Sequence, residues 1–157
     1  MTDRVQFRID NRLAEFLAQR RSHEKEPMGQ TVRRLLNFYR ALLERGRREI
    51  AQAGFSPREA RLIVDACNGW LPTPEFAHLI WAEVDEAIKH DGLDEKWGVD
   101  GAALVEKMRS LSPAGLFALT DLVMCYFGGE HAGTDVEVDE RLRAIGFPVA
   151  AAQGMEG

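Results

Sequence analysis

The sequence predicts a mainly α-helical protein, with one short strand and two helices near the amino terminus followed by a small helical bundle. Three observations favour this fold class. Residues 4–10 alternate between polar and apolar side chains, as does a strand that buries one face. Later segments repeat apolar residues at intervals of three and four, as amphipathic helices do. Several of these segments open on Ser or Thr followed by Pro, a pair that is typical of helix starts.

The predicted strand, residues 4–10, has one apolar and one polar face. Val5, Phe7 and Ile9 lie on the first face, and Arg4, Gln6 and Arg8 lie on the second. A single strand leaves its backbone donors and acceptors unpaired, so a strand of this kind requires a second strand beside it. Because a second copy of the chain can supply that strand, the pattern predicts a homodimer joined through its amino-terminal strands.

Two amphipathic helices are predicted after the strand, separated by a break at Pro27. The first runs from Asn11 to about Ser22, and the second runs from Gly29 to about Arg47. Their apolar stripes consist of Leu13, Phe16 and Leu17 on the first helix and of Val32, Leu35, Leu36, Tyr39, Leu42 and Leu43 on the second. Aromatic residues at helical spacing are typical of a core, so Tyr39 is predicted to pack rather than to stack on bases.

This order of strand, helix, turn and helix resembles the ribbon-helix-helix transcription regulators of the Arc and MetJ type, over about residues 3–48. In that family each subunit gives one strand and two helices, two subunits interlock, and the paired strands enter the major groove of DNA. The resemblance therefore implies an intertwined homodimer that binds double-stranded DNA. It implies no metal and no cofactor.

The resemblance also assigns roles to particular residues. Base contacts fall to Arg4, Gln6 and Arg8, since Arg can pair with guanine and Gln with adenine, each contact discriminating by about 1–3 kcal/mol. Phosphate contacts fall to Gly29, Gln30, Thr31, Arg33 and Arg34, at the start of the second helix. Gly29 lacks the side-chain acceptor that the family usually has there, so this start relies on Gln30 and Thr31. The implied dimer core consists of Val5, Phe7, Ile9, Leu13, Phe16, Leu17, Val32, Leu35, Leu36 and Tyr39.

Charge is distributed unevenly along the chain. Residues 1–50 carry 12 Lys and Arg against 7 Asp and Glu, a net charge of +5. Residues 51–157 carry 8 against 18, a net charge of −10. Exposed charges interact over about 8–10 Å at physiological salt, so the basic end can hold phosphate although the whole chain is acidic.

Residues 55–150 are too long and too apolar for a tail, and they predict a small acidic helical bundle to which the family resemblance does not extend. Helix starts are indicated at Ser56-Pro57, Thr73-Pro74, Asp100 and Ser112-Pro113, and helix ends at Asn68-Gly69, Gly92 and Gly128-Gly129. In the second of these helices, the residues predicted to face inward are Phe76, Leu79, Ile80, Val84 and Ile88. The segment 91–100 reads as a connector pinned by Trp97. A last helix is predicted from about Val138 to Ile145, ending at Gly146.

The predicted domains are therefore residues 1–50, for DNA binding and dimerisation, and residues 55–150, for interaction, sensing or assembly. Residues 151–157 form a frayed tail. The second amino-terminal helix either continues into the bundle or hinges near Gly46 or Gly54. No apolar run is long enough to span a membrane and no secretion signal is present, which predicts a cytoplasmic protein.

Few residues are candidates for catalysis, redox chemistry or metal binding. Cys67 and Cys125 lie on apolar helix faces and are predicted to be buried thiols. The four histidines have no metal-ligand spacing with either cysteine, so no metal is expected. Glu83, Asp85 and Glu86 near His90 are the closest approach to an acidic cluster, and exposed helical charge explains them more simply than catalysis. The protein is therefore not expected to be an enzyme.

Together these observations predict a homodimeric, sequence-specific DNA-binding regulator of transcription, acting as a repressor. Two alternatives stay open. In one, the acidic bundle binds and neutralises a protein partner, as an antitoxin or inhibitor does. In the other, the protein is an accessory factor in plasmid partition or conjugation, which would bind DNA in the same way.

Overall fold

A computed structural model describes residues 8–69, 74–128 and 134–148 of the 157-residue chain, and over these residues the protein is mainly α-helical, as predicted. The helices are α1 (Asn11–Ala18), α2 (Met28–Ala53), α3 (Pro57–Ala66), α4 (Ile80–Asp91), α5 (Leu93–Trp97), α6 (Gly101–Arg109), α7 (Pro113–Phe127) and α8 (Asp135–Ala144). A 3₁₀ helix, Pro74–Leu79, leads directly into α4. No helix in the described ranges is long and apolar enough to cross a bilayer alone; α6 and α7 pass that test only as a pair bent by 119°.

The predicted amino-terminal strand is not shown. Residues 1–7, which include Arg4, Val5, Gln6 and Phe7, lie outside the described residues. Residues 8–10 are described and contain no strand. Asp10 instead has extended backbone angles of φ −76° and ψ 170° and caps α1, its carboxylate accepting a hydrogen bond from the Leu13 amide at 2.8 Å. Of the described residues of the predicted ribbon, Asp10 therefore serves as the N-cap of α1.

The chain divides into two compact units, residues 1–41 and 42–157, called here the amino-terminal unit and the carboxy-terminal unit. The boundary falls inside α2 and so lies earlier than residues 51–54, where the sequence places it. The long helix itself differs from the prediction at both ends. It begins at Met28, directly after Pro27, and it passes Arg47 to end at Ala53, where Gly54 takes a left-handed φ of 74°.

Gly46 explains why α2 continues instead of hinging at that position. A Cβ atom at Gly46 would lie 2.2 Å from the carbonyl oxygen of Ala114 and 2.5 Å from the Cβ of Ala118. The glycine therefore allows α2 to approach the backbone of α7 closely. Glu49, one turn further along α2, accepts hydrogen bonds from the amide and hydroxyl of Ser112, which caps α7.

The first helix is shorter than predicted, because α1 ends at Ala18 and not near Ser22. The Arg20 amide bonds to Leu17 O at 3.1 Å, which tightens the last turn. Ser22 then bonds through its amide and its hydroxyl to the Glu26 carboxylate. These side-chain contacts replace the backbone hydrogen bonds that would continue α1, so the helix ends and the chain turns toward α2.

The carboxy-terminal unit has a continuous apolar core around α7. Its largest fully buried side chains belong to α2, α3, α4, α6, α7, α8 and the segment between α2 and α3: Ile50, Phe55, Leu62, Ile63, Ile80, Val84, Leu104, Met108, Leu119, Leu122, Val123 and Leu142. α3 packs against α4, α5, α7 and α8. The helix starts predicted at Ser56, Asp100 and Ser112 are confirmed, since each side chain accepts a hydrogen bond from an amide in the first helical turn.

Other details of this unit depart from the sequence predictions. The segment before α4 is a 3₁₀ helix, whose three residues per turn rotate its side chains differently, and Phe76 and Leu79 are exposed rather than inward. The expected connector contains α5, bounded by left-handed glycines at 92 and 98. α8 begins before Val138, at Asp135, because Thr134 and Glu137 form a capping box.

The two cysteines differ in exposure, although both were predicted to be buried. Cys67 is fully buried in the core, and burial with the nearby Glu83 charge raises the pKa of its thiol to about 12. Cys125 is exposed. The reason is its position on α7, where Leu122 and Val123 face the core and the following Met124 and Cys125 lie on the outer side.

Candidate functional site

The amino-terminal unit has too little interior to account for its apolar residues. Among residues 8–41 only one apolar side chain, Leu17, is buried. Five of the nine large apolar side chains that are exposed in the described parts of the chain lie in this unit: Ile9, Leu13, Phe16, Leu36 and Phe38. Phe38 is 73% exposed and Leu36 is 61% exposed. With one buried apolar side chain, the described residues 8–41 do not form a core of their own.

Two of these exposed residues, Ile9 and Leu13, line an apolar groove formed by residue 9, α1 and the start of α2. The groove has a volume of about 450 Å³ and is lined by Ile9, Leu13, Leu17, Met28, Gly29 and Val32. Four of these six residues belong to the dimer core that the resemblance implies. Of the other predicted core residues, Phe16 and Leu36 are exposed, Leu35 and Tyr39 are partly buried, and Val5 and Phe7 lie outside the described residues.

A buried carboxylate, Glu26, links the segment after α1 to α2. Glu26 is 3% exposed and accepts hydrogen bonds from the Ser22 amide at 3.4 Å, the Ser22 hydroxyl, the Thr31 hydroxyl at 2.5 Å and Arg34 Nη2 at 3.0 Å. These donors favour the ionised form, so the bonds from Ser22, Thr31 and Arg34 lower the pKa of Glu26 to about 2. Arg34 also donates to the carbonyl of Arg20, at the end of α1. We call this group the Glu26 cluster.

The Glu26 cluster was missed by sequence reasoning. Glu26-Pro27 before a helix matches no common capping pattern, because the carboxylate stands outside the helix and its partners are five and eight positions along the chain. The only signal in the sequence is a carboxylate beside Pro27, with Thr31 and Arg34 spaced to reach it from the first two turns of α2.

Of the five predicted phosphate-contacting residues, two belong to the Glu26 cluster and three do not. Gly29, Gln30 and Arg33 are exposed at the start of α2. Thr31 is fully buried, and its hydroxyl donates to Glu26. Arg34 is partly exposed and is engaged by Glu26. The structure therefore brings three of the five residues together on an outer surface, while Thr31 and the bound end of Arg34 serve the fold.

The predicted base-contacting residues are only partly described. Arg4 and Gln6 lie outside the described residues, and Arg8 is exposed just before α1. Residues 1–41 carry nine Lys and Arg against five Asp and Glu, a net charge of +4, whereas residues 42–157 carry 11 against 20, a net charge of −9. Because Glu26 is paired with Arg34, these two charges compensate each other, and the net charge of the amino-terminal unit is carried by its other residues.

The acidic residues singled out from the sequence lie in the carboxy-terminal unit and do not form one group. Asp85 pairs with Lys89 at 2.7 Å on α4, whereas Glu83, Glu86 and His90 line a cleft beside α3. Within the described ranges, no three His, Cys, Asp or Glu side chains are placed to hold a metal ion. Comparison of the chain with protein-family models, with curated proteins and with solved structures gives no match.

Proposed function

We propose that the protein is a homodimeric, sequence-specific DNA-binding regulator of transcription that represses by occupying its operator. The observation that carries the proposal is the uncovered apolar face of a basic amino-terminal unit. One buried apolar side chain and five large exposed ones are expected of half a core whose other half is supplied by a second subunit.

A second copy of this chain is the occupant best suited to that face. The groove is lined almost wholly by apolar side chains, and four of its six lining residues belong to the dimer core implied by the ribbon-helix-helix resemblance. Covering half-exposed Leu, Ile and Phe side chains contributes roughly 1 kcal/mol each, because full burial of such a side chain contributes about 1.5–3 kcal/mol. An isologous dimer gains each of these contributions twice.

Dimerisation also builds a surface for DNA. Two amino-terminal units together carry a net charge of +8, from the +4 of each, and every neutralised phosphate releases counterions. In this proposal Arg8, together with Arg4 and Gln6, contacts bases in the major groove, while Gln30 and Arg33 contact phosphate. Arg34 contributes less to phosphate binding than the resemblance implies, because Glu26 holds it.

The experiment that tests the proposal is selection of bound fragments from random DNA with the full-length chain, followed by gel-shift titration. A dimer is expected to enrich a short inverted repeat. Arg8→Ala is then expected to weaken binding to the selected site by about 5- to 150-fold, which corresponds to about 1–3 kcal/mol per base contact. Arg143→Ala is the matched control, since Arg143 is an exposed arginine of the carboxy-terminal unit.

If no sequence is enriched while the protein is dimeric, the proposal of sequence-specific DNA binding is wrong. If a site is enriched but Arg8→Ala binds it as tightly as the unmodified chain does, the base-contacting role of Arg8 is wrong.

A further inference from the structure

Two neighbouring clefts open beside α3 in the carboxy-terminal unit, and they share the side chains of Asp65 and Asn68 as lining residues. Their volumes are about 310 and 320 Å³. Each falls near the lower end of the range of about 300–1,000 Å³ that small-molecule sites occupy, and together they fall well within it. The two clefts differ sharply in chemistry.

The first cleft, called here the aromatic cleft, is walled by Trp97 from α5 and by Tyr126 and Phe127 from α7. The Tyr126 and Phe127 rings meet edge to face at 5.1 Å. Burial raises the pKa of the Tyr126 phenol above its ordinary value, so this hydroxyl is neutral at physiological pH. The cleft therefore offers flat apolar surfaces with a neutral polar group beside them.

Two cations also line the aromatic cleft, but each is paired with a carboxylate. Arg61 donates two hydrogen bonds to Asp139, from Nε at 2.8 Å and from Nη2 at 2.6 Å. Lys96 Nζ donates to Asp65 at 2.7 Å. Because both positive charges are compensated within the protein, the cleft has little attraction for an anion.

The second cleft, called here the acidic cleft, is lined by the carboxylates of Asp65, Glu83, Glu86 and Asp91, together with His90. Neither Lys nor Arg is among its lining residues, and Lys89 turns instead to Asp85, which does not line it. Three of its carboxylates, those of Glu83, Glu86 and Asp91, have no Lys or Arg beside them in the lining, which gives the cleft a negative field. A cation is favoured there.

Asp65 connects the two clefts. Its Oδ2 atom accepts hydrogen bonds from Trp97 Nε1 at 2.9 Å and from Lys96 at 2.7 Å, which fixes the orientation of the indole at the edge of the aromatic cleft. Asn68, one turn later on the exposed side of the chain, adds an amide at the same border. A ligand that filled both clefts would pass directly over these two residues.

We propose that the joined clefts bind a small organic cation, with its flat aromatic ring in the aromatic cleft against Trp97 and Tyr126 and its ammonium group in the acidic cleft beyond Asp65. The ring gains stacking and apolar contact with Trp97 and Tyr126, and the ammonium gains the carboxylates of the acidic cleft. A carboxylate in place of the ammonium meets the like charges of Glu83, Glu86 and Asp91, since the charge of Asp65 is compensated by Lys96. This inference is independent of the proposed DNA-binding function, since it uses residues of the carboxy-terminal unit alone.

The test uses the full-length chain labelled with ¹⁵N and three probes of matched size. Phenethylamine carries the ring and the ammonium, 3-phenylpropionate carries the ring and a carboxylate, and hexylamine carries the ammonium without a ring. The Trp97 indole N–H resonance, assigned by its loss in Trp97→Phe, reports on the bond to Asp65. Phenethylamine is expected to shift it saturably, with an apparent Kd at least tenfold below those of the other two probes. Equal shifts with all three probes, or none with phenethylamine, overturn the proposal.

A matched pair of variants tests the placement of the ammonium group. Glu86 lines the acidic cleft and is exposed, whereas its neighbour Asp85 does not line the cleft. Both substitutions, Glu86→Gln and Asp85→Asn, remove one negative charge from α4. Glu86→Gln is expected to weaken phenethylamine binding at least threefold, and Asp85→Asn is expected to leave it within a factor of 1.5. Equal effects of the two variants would show that binding responds to net charge alone, and the placement of the ammonium group in the acidic cleft would then be wrong.

Discussion

The two units of this chain share one helix but differ in how they bury apolar surface. The carboxy-terminal unit surrounds α7 with a continuous core, and it carries a net charge of −9. The amino-terminal unit buries Leu17 alone among the apolar side chains of residues 8–41, exposes five large ones, and carries a net charge of +4. The difference teaches that the carboxy-terminal unit buries its apolar side chains within a single chain, whereas residues 8–41 leave theirs on a surface that, in our proposal, a second copy of the chain covers.

The largest expected effect is on the self-contained unit and comes from Gly46→Ala. The new Cβ would lie 2.2 Å from Ala114 O and 2.5 Å from the Ala118 Cβ, so α2 and α7 must separate. We expect a loss of about 2–3 kcal/mol in the free energy of unfolding, because overpacking at a backbone contact outweighs the gain of about 1 kcal/mol in helix propensity. Urea denaturation followed by circular dichroism measures it.

Gly29 of the same helix supplies the control for that experiment. A Cβ at Gly29 would meet no atom within 4 Å. Gly29→Ala is therefore expected to leave the unfolding free energy unchanged or to raise it slightly. A stable Gly46→Ala protein would mean that α2 does not pack on α7 as closely as described.

The next effect concerns the incomplete unit and is measured by sedimentation velocity. Leu13→Glu places a charge on the apolar face, where a partner would bury it without a counter-charge. The dimer dissociation constant is expected to rise at least 100-fold, while the thermal unfolding of the carboxy-terminal unit stays the same.

Val136→Glu is the matched variant on the other unit, since Val136 is 66% exposed on α8. It is expected to leave association unaltered. If both variants associate like the unmodified chain, or if the unmodified chain is monomeric, the apolar face of the amino-terminal unit has another purpose and the dimer proposal is wrong.

The two units also differ in how much of their structure could be predicted from the sequence. In the carboxy-terminal unit the helix starts at Ser56, Asp100 and Ser112 were predictable, because each depends on a local contact between a side chain and the amide three residues later. The continuity of α2 through Gly46 was not, since it depends on Ala114 and Ala118, which are distant in sequence. A glycine seen alone indicates a hinge and close packing equally well.

The same distinction between local and distant contacts decides which features of the candidate sites could be predicted. Periodicity identified Leu13 and Leu36 as apolar-face residues, but it could not foresee that Glu26 would bury Thr31 and engage Arg34. The two clefts beside α3 were likewise beyond sequence reasoning, because Asp65, Trp97 and Tyr126 come from three separate helices. Only the folded chain places them side by side.

The Glu26 cluster predicts a pH dependence confined to the amino-terminal unit. The pKa of Glu26 is about 2 in the folded chain against an ordinary 4.5, so its ionised form stabilises folding fully above about pH 4.5, and this contribution is lost as pH falls toward 2. Glu26→Gln is expected to reduce hydrogen-exchange protection of the α1 and α2 amides at pH 6. The difference from the unmodified chain is expected to shrink by pH 3.

Glu24→Gln is the control, because Glu24 is exposed in the same segment. It is expected to leave protection unchanged at both pH values. A gap between Glu26→Gln and the unmodified chain that stays constant from pH 6 to pH 3 would mean that the carboxylate acts through its shape and not through its charge.

The smallest expected effects come from removing one helix cap in each unit. Asp10→Ala deletes the acceptor for the Leu13 amide at the start of α1, and Ser56→Ala deletes the acceptor for the Glu59 amide at the start of α3. Each substitution costs about 1 kcal/mol in local stability.

The two losses are expected to appear in different measurements. In the carboxy-terminal unit, where α3 is buried in the core, the loss is expected to lower the free energy of global unfolding. In the amino-terminal unit the loss is expected to appear as a roughly 30-fold weaker dimer, because both subunits of the proposed dimer lose the cap, about 2 kcal/mol in all, and about 1.4 kcal/mol corresponds to a factor of ten. Ser56→Ala should leave dimerisation as it is, and a dimer weakened equally by both variants would mean that association does not depend on the amino-terminal unit in particular.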